Sequence, residues 1–143
     1  MSTTTQHLAT PEATEAAGYA LASQLQNGDW LTLSGELGAG KTSLVRGLLR
    51  GLGITGSIKS PTYSLVEHYQ TSQHTIAHWD LYRIKDPTEL DYLGWRDLQD
   101  GRTLVLIEWP EMAQGYLPSI QWQLKIAIPP NAITGRDLII TRI

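Results

Sequence analysis

The segment Gly35-Glu36-Leu37-Gly38-Ala39-Gly40-Lys41-Thr42 fits the pattern G-x-x-x-x-G-K-[ST]. Each residue type has a reason to be at its place. Glycines let the backbone curl until several N–H groups point into one concavity, an anion cradle. A helix beginning at the end of the loop adds the positive end of its dipole. Lys41 supplies a point charge for the β- and γ-phosphates, and the Thr42 hydroxyl is a ligand for Mg²⁺. Glu36, Leu37, Gly38, Ala39, Gly40, Lys41, Thr42 and Ser43 are therefore the candidate nucleotide contacts, with ATP or ADP and Mg²⁺ as the expected ligands.

Lys41 and Thr42 hold Mg²⁺ incompletely, and an acid at the end of a neighbouring buried strand usually completes the site. Glu108 follows the apolar run Leu104-Val105-Leu106-Ile107, a Walker B pattern. It reads as a Mg²⁺ ligand or as a base that orients the attacking water. Asp80, in His78-Trp79-Asp80-Leu81-Tyr82-Arg83, is a second candidate. On a strand it shares a face with His78 and Tyr82, opposite Trp79; the alternative is an acid paired with Arg83 on a solvated face. Ser60-Pro61-Thr62 follows the phosphate-loop helix, where nucleotide switches place a hydroxyl that senses Mg²⁺ and the γ-phosphate; a plain Ser-Pro corner is the other reading. His74 and His78 on one strand stand roughly 13 Å apart, too far to chelate one ion. Trp109 is either core or a nucleotide sensor.

The elements that must position these groups are legible in outline. Thr10 is an N-cap with Pro11 at the first helical position, and Ala13, Ala16, Ala17, Ala20, Leu21 and Leu25 recur at helical spacing. Residues 30–34 form a strand, the glycine-rich turn follows, and Leu44, Val45, Leu48, Leu49 and Leu52 line one face of a helix beginning at Lys41. Residues 63–69 and 75–82 read as a hairpin, and residues 86–94 as a short helix. Residues 104–107 read as a strand buried on both faces. Residues 121–128 and 138–143 complete the strands, and residues 1–9 read as loose. The expectation is one α/β domain over residues 1–143, a P-loop NTPase-like fold with a mixed parallel and antiparallel sheet flanked by helices.

Composition sets the outer limits. The chain has 143 residues, 41% of them hydrophobic, and a formal net charge of −3. That size supports one core. It has no cysteine, so disulfides, zinc–thiolate sites, Fe–S clusters and thiol catalysis are excluded. The acidic balance argues against gripping DNA or RNA through a broad basic face. Arg46, Arg50, Lys59, Arg83 and Lys85 form at most a local basic patch or an ordinary solvated face. No apolar run reaches the length of a membrane helix and the start has no signal-peptide pattern, so a cytoplasmic protein is expected. No Asn-Lys-x-Asp motif for guanine is present, and Asp91-Tyr92-Leu93-Gly94 falls in a helix-like stretch, so adenine is favoured by elimination.

Leu33 to Thr42, Ser60-Pro61-Thr62-Tyr63, His78 to Arg83 and Ile107-Glu108-Trp109-Pro110-Glu111, in this order and spacing, resemble the bacterial TsaE (YjeE) family over about residues 8–143. The resemblance implies a small ATPase in the synthesis of threonylcarbamoyladenosine on tRNA. It implies work with a TsaD–TsaB complex, in which TsaD performs the transfer, and contact with tRNA through that complex. It also implies Thr62, Asp80 and Glu108 around Mg²⁺ and the γ-phosphate, and adenine near Thr10 and Gly135-Arg136. Two rivals remain at this point. A small-molecule kinase shares the glycine spacing but usually carries an arginine-rich lid, and Arg102, Arg136 and Arg142 are scattered. A nucleotide-sensing module would bind without turnover.

Overall fold

The computed structural model describes residues 1–130 and 134–143. Seven strands form one sheet: β1 (Ser2–Leu8), β2 (Trp30–Ser34), β3 (Val66–Gln70), β4 (Thr75–Asp80), β5 (Thr103–Glu108), β6 (Trp122–Ala127) and β7 (Arg136–Arg142). Their order is β1-β7-β6-β2-β5-β4-β3. The central four, β6-β2-β5-β4, are parallel, and β7, β1 and β3 join antiparallel. The sheet is mixed, as the sequence implied.

The buried parallel strands alternate between two cores. Leu31, Leu33, Leu104, Leu106 and Ile76 face helices α1 (Pro11–Leu21) and α2 (Lys41–Gly51). Trp30, Val105, Ile107, Ala77 and Trp79 face the opposite side. There the cover is not α-helical: three 3₁₀ turns, Pro87–Leu93, Arg96–Leu98 and Pro110–Ala113, close over the sheet. Three tryptophans fill this layer of a chain that has no phenylalanine. Trp95 stands edge-on to Trp30 and Trp79, with centroids 5.2 and 4.9 Å away. Its Nε1–H donates to the Tyr116 carbonyl at 3.0 Å. Such pairs add about 0.5–1.5 kcal/mol each beyond area burial.

Three local expectations need correction. Residues 2–8 are not loose: they pair with β7 along their whole length, from Ser2 opposite Arg142 to Leu8 opposite Arg136. Only Leu8 is buried, so hydropathy gave no signal, but the run of β-branched threonines suits an edge strand. The strand expected from Tyr63 starts only at Val66, because the Leu65 N–H closes a turn onto the Pro61 carbonyl at 2.7 Å. β4 ends at Asp80, whose Oδ1 accepts the Tyr82 N–H at 3.1 Å, so Tyr82 leaves the strand face that Asp80 shares with His78.

Helix α2 must be fixed for its N-terminus to present a site, and α1 fixes it. The two helices cross so closely that a Cβ on Gly47 would lie 2.0 Å from the Glu15 carbonyl oxygen. Gly47→Ala should therefore destabilise the fold by about 2 kcal/mol net, overpacking outweighing the ~1 kcal/mol helix preference of alanine. Thermal denaturation should show a Tm lower by roughly 5–8 °C. An unchanged or higher Tm would mean that the helices separate freely.

Candidate nucleotide-binding site

β2, β5 and β4 end in register, with Leu33 opposite Glu108 and Glu108 opposite Asp80. The phosphate loop leaves β2 at Ser34 and turns into α2 at Lys41. Loop, helix N-terminus and both carboxylates thus gather at the carboxyl ends of parallel strands, where open α/β sheets bind ligands. Gly40, just before the helix, has φ of 107°, a left-handed conformation that a side chain resists.

The gathered groups line one cleft of about 410 Å³, which includes Lys41, Thr42, Thr62, Asp80, Glu108 and Trp109. Lys41 is buried. Its ammonium donates to the Gly35 carbonyl and lies 3.4 Å from the centroid of the Trp109 ring. Burial lowers its pKa, while Glu108, Asp80 and Glu111 pull it back up. Trp109 itself adopts φ of 59°, which places its ring beneath Lys41 and 4.9 Å from the Tyr82 ring. Trp109 lines the cleft and also packs against the tryptophan core.

Asp80 is half-buried, and its Oδ2 accepts from the Thr62 hydroxyl at 3.4 Å. Thr62 and Ser60 share a hydrogen bond of 2.6 Å, so the Ser-Pro-Thr corner is tied to the strand end. Burial raises the Asp80 pKa, and the nearby Glu108 charge adds to it; the Tyr82 N–H, His78 and Lys41 oppose. Arg83 does not pair with Asp80; its guanidinium lies 4.7 Å over the Tyr63 ring. Glu108 is buried, and its Oε2 accepts from His78 Nε2 at 2.7 Å.

A second pocket of about 520 Å³ lies across the loop, lined by Leu8, Thr10, Pro11, Thr14, Ala39 and Arg136 among others. Gly38, Gly40 and Ser43 line both spaces, so the loop is their common wall. Thr10 caps α1, its hydroxyl oxygen accepting the Ala13 N–H at 3.1 Å. Arg136 donates to the Ala39 and Gly38 carbonyls at 3.2 and 3.3 Å and so braces the loop from β7. Glu36 lines neither space. Its carbonyl accepts the Ala39 N–H, and the residue borders a groove on the far side with Lys125 and Ile126. Leu37 is exposed at the rim of the cleft.

No group of three or more His, Asp or Glu among the described residues is placed to hold a metal alone. The donors present are hard oxygens, Thr42, Thr62, Asp80 and Glu108, which suit a cation that also takes water and phosphate oxygens. Asp80 and Glu108 stand in register on adjacent strands, so both carboxylates face the same end of the sheet. Two roles had no reading in the sequence: His78 as the partner of Glu108, and Arg136 as a brace for loop carbonyls. The first had a signal, because His78 sits two residues before Asp80 on the same strand face.

A family model described as threonylcarbamoyl adenosine biosynthesis protein TsaE matches residues 8–137. The chain belongs to the TsaE family. Proteins named tRNA threonylcarbamoyladenosine biosynthesis protein TsaE are among its relatives. The one from Haemophilus influenzae is 54% identical over 86 residues, 60% of this chain and 54% of that protein. The one from Synechocystis is 47% identical over 103 residues, 69% of this chain and 65% of that protein. The one from Bacillus subtilis is 35% identical over 133 residues, 93% of this chain and 82% of that protein. The matches thus span about half to two-thirds of the first two TsaE relatives. The crystal structure of Bacillus subtilis YdiB superposes with a TM-score of 0.78 at 29% identity, covering 99% of this chain and 86% of that one. No helix of the described residues is long and apolar enough to cross a membrane.

The raised pKa of Asp80 has a direction for stability. The folded state favours its protonated form, so ionised Asp80 destabilises the ligand-free protein above the unfolded carboxyl pKa. Asp80→Asn should raise Tm by a few degrees at pH 7.5 without nucleotide. The gain should shrink as pH falls toward 4, where Asp80 is itself protonated. A gain that is absent at pH 7.5 would overturn this account.

Proposed function

We propose that this chain is the ATP-binding and ATP-hydrolysing subunit of tRNA threonylcarbamoyladenosine synthesis in the cytoplasm. It works with a TsaD–TsaB complex and meets tRNA through that complex. The observation that carries the reading is the convergence of Lys41, Thr42, Asp80 and Glu108 on one cleft that shares the loop wall with a larger pocket. The names of the relatives support the pathway.

The loop N–H groups and the start of α2 receive the phosphates, and the neighbouring pocket near Thr10 and Arg136 takes the adenosine. Lys41 moves from the Gly35 carbonyl onto the β- and γ-phosphates. Thr42, Asp80 and Glu108, with Thr62 from the corner, would hold Mg²⁺, which when bound would supply positive charge against the phosphoryl oxygens. Glu108 also accepts a hydrogen bond from the attacking water and orients it. The water oxygen bonds to the γ-phosphorus, the bond to the ADP oxygen breaks, and the proton leaves with phosphate or solvent.

Phosphate release from Mg-ATP tests the reading, with and without TsaD–TsaB and tRNA. The partners should raise the rate well above a Lys41→Ala blank, in which binding or turnover is abolished. Equal rates in wild type and Lys41→Ala would remove the phosphate-loop assignment. Glu108→Ala should keep ADP binding in EDTA while turnover falls about 100-fold or more. Normal turnover in Glu108→Ala would shift the hydrolytic role to Asp80.

A further inference from the structure

We propose that His78 is a positioning residue for Glu108: its Nε2–H holds one carboxylate oxygen and leaves the other turned to the cleft. The inference rests on the proposed role of Glu108 and extends it to a residue outside the phosphate loop. His78 and Glu108 stand on adjacent parallel strands, on the sheet face that α2 covers. His78 pairs in register with Leu106, two residues before Glu108. Their side chains are 5% and 8% exposed, and 2.7 Å separates Nε2 from Oε2. A carboxylate oxygen accepts, so the imidazole donates through Nε2. The other ring nitrogen, Nδ1, is buried with no protein partner.

The contact answers a specific need. Asp80 stands in register with Glu108 on the neighbouring strand, and the two like charges repel. Lys41 attracts both carboxylates. A free carboxylate between these forces would have several orientations. The hydrogen bond at Oε2 selects one, and among the described residues Oε1 has no protein donor. One strand therefore supplies both a cleft carboxylate, Asp80, and the group that aims the other. Such outer partners are typically worth about 10–100-fold in metal affinity or activity.

The test separates aiming from simple core support. A glutamine places its amide nitrogen near the position of imidazole Nε2, and an asparagine places it near Nδ1. ADP is titrated calorimetrically into wild type, His78→Gln, His78→Asn and Glu108→Ala, in Mg²⁺ and in EDTA. kcat and KM for Mg-ATP are measured with the partners present. The expected result in EDTA is ADP affinity within about twofold of wild type for His78→Gln and His78→Asn. The gain in affinity from Mg²⁺ falls about tenfold in His78→Asn and is largely restored in His78→Gln, and kcat follows with KM little changed. An undiminished Mg²⁺ gain in His78→Asn, with the gain lost in Glu108→Ala, overturns the inference and leaves the Glu108 reading intact. A gain that survives Glu108→Ala overturns that reading instead. Weaker ADP binding in EDTA for His78→Asn makes His78 a support of the loop and also overturns the inference. If His78→Asn does not fold, long-range ¹H–¹⁵N spectra of the wild-type ring decide: a protonated Nε2 supports it, and a bare Nε2 overturns it.

Discussion

Two acids must end adjacent strands at the same level, and much of the architecture follows from that pairing. Parallel pairing of β4 with β5 sets Asp80 beside Glu108, and pairing of β5 with β2 sets Glu108 beside Leu33, one residue before the strand end. A slip of one residue in β4 or β5 would send that strand's carboxylate into the tryptophan layer. The register is protected by burial on both faces: Leu104 and Leu106 point toward the helices, Val105 and Ile107 toward Trp30 and Trp79. The hydrophobic effect thus fixes the separation of two charges that would otherwise move apart.

The loop is braced from several directions. Behind it, α2 is held against α1 through a contact that admits no side chain at Gly47. At its side, Arg136 reaches from β7 to the carbonyls of Gly38 and Ala39. Fixing those carbonyls orients the peptide units of the loop. β7 in turn lies between β6 and the threonine-rich first strand. The part of the chain with the least apolar signal therefore belongs to the frame around the loop.

The loop, the Walker B-like acid and the mixed sheet were readable because each rests on local rules: glycine spacing, a buried apolar run, alternation. Asp80 and Thr62 were readable as candidates only, since their meeting depends on a turn closed by Leu65 and Pro61. Residues 2–8 were misread because an exposed edge strand is held by backbone hydrogen bonds and carries no hydropathy pattern. His78 was seen on the correct face and not given its partner. That partner is thirty positions away in sequence, and only strand register brings the two together. The bracing role of Arg136 escaped for a similar reason, since it acts on carbonyls that no sequence pattern marks. Trp109 was open between core and sensor, and it owes its place against Lys41 to a left-handed backbone at the end of β5.

The contact between Lys41, the Gly35 carbonyl and the Trp109 ring has a consequence for exchange. The ammonium already has an internal ligand when no nucleotide is bound. An incoming phosphate must displace it, and a buried cation over an indole is worth about 1–2 kcal/mol. The net affinity is lower by that amount, about tenfold in the dissociation constant. Under the proposed function, that internal contact competes with the nucleotide for Lys41.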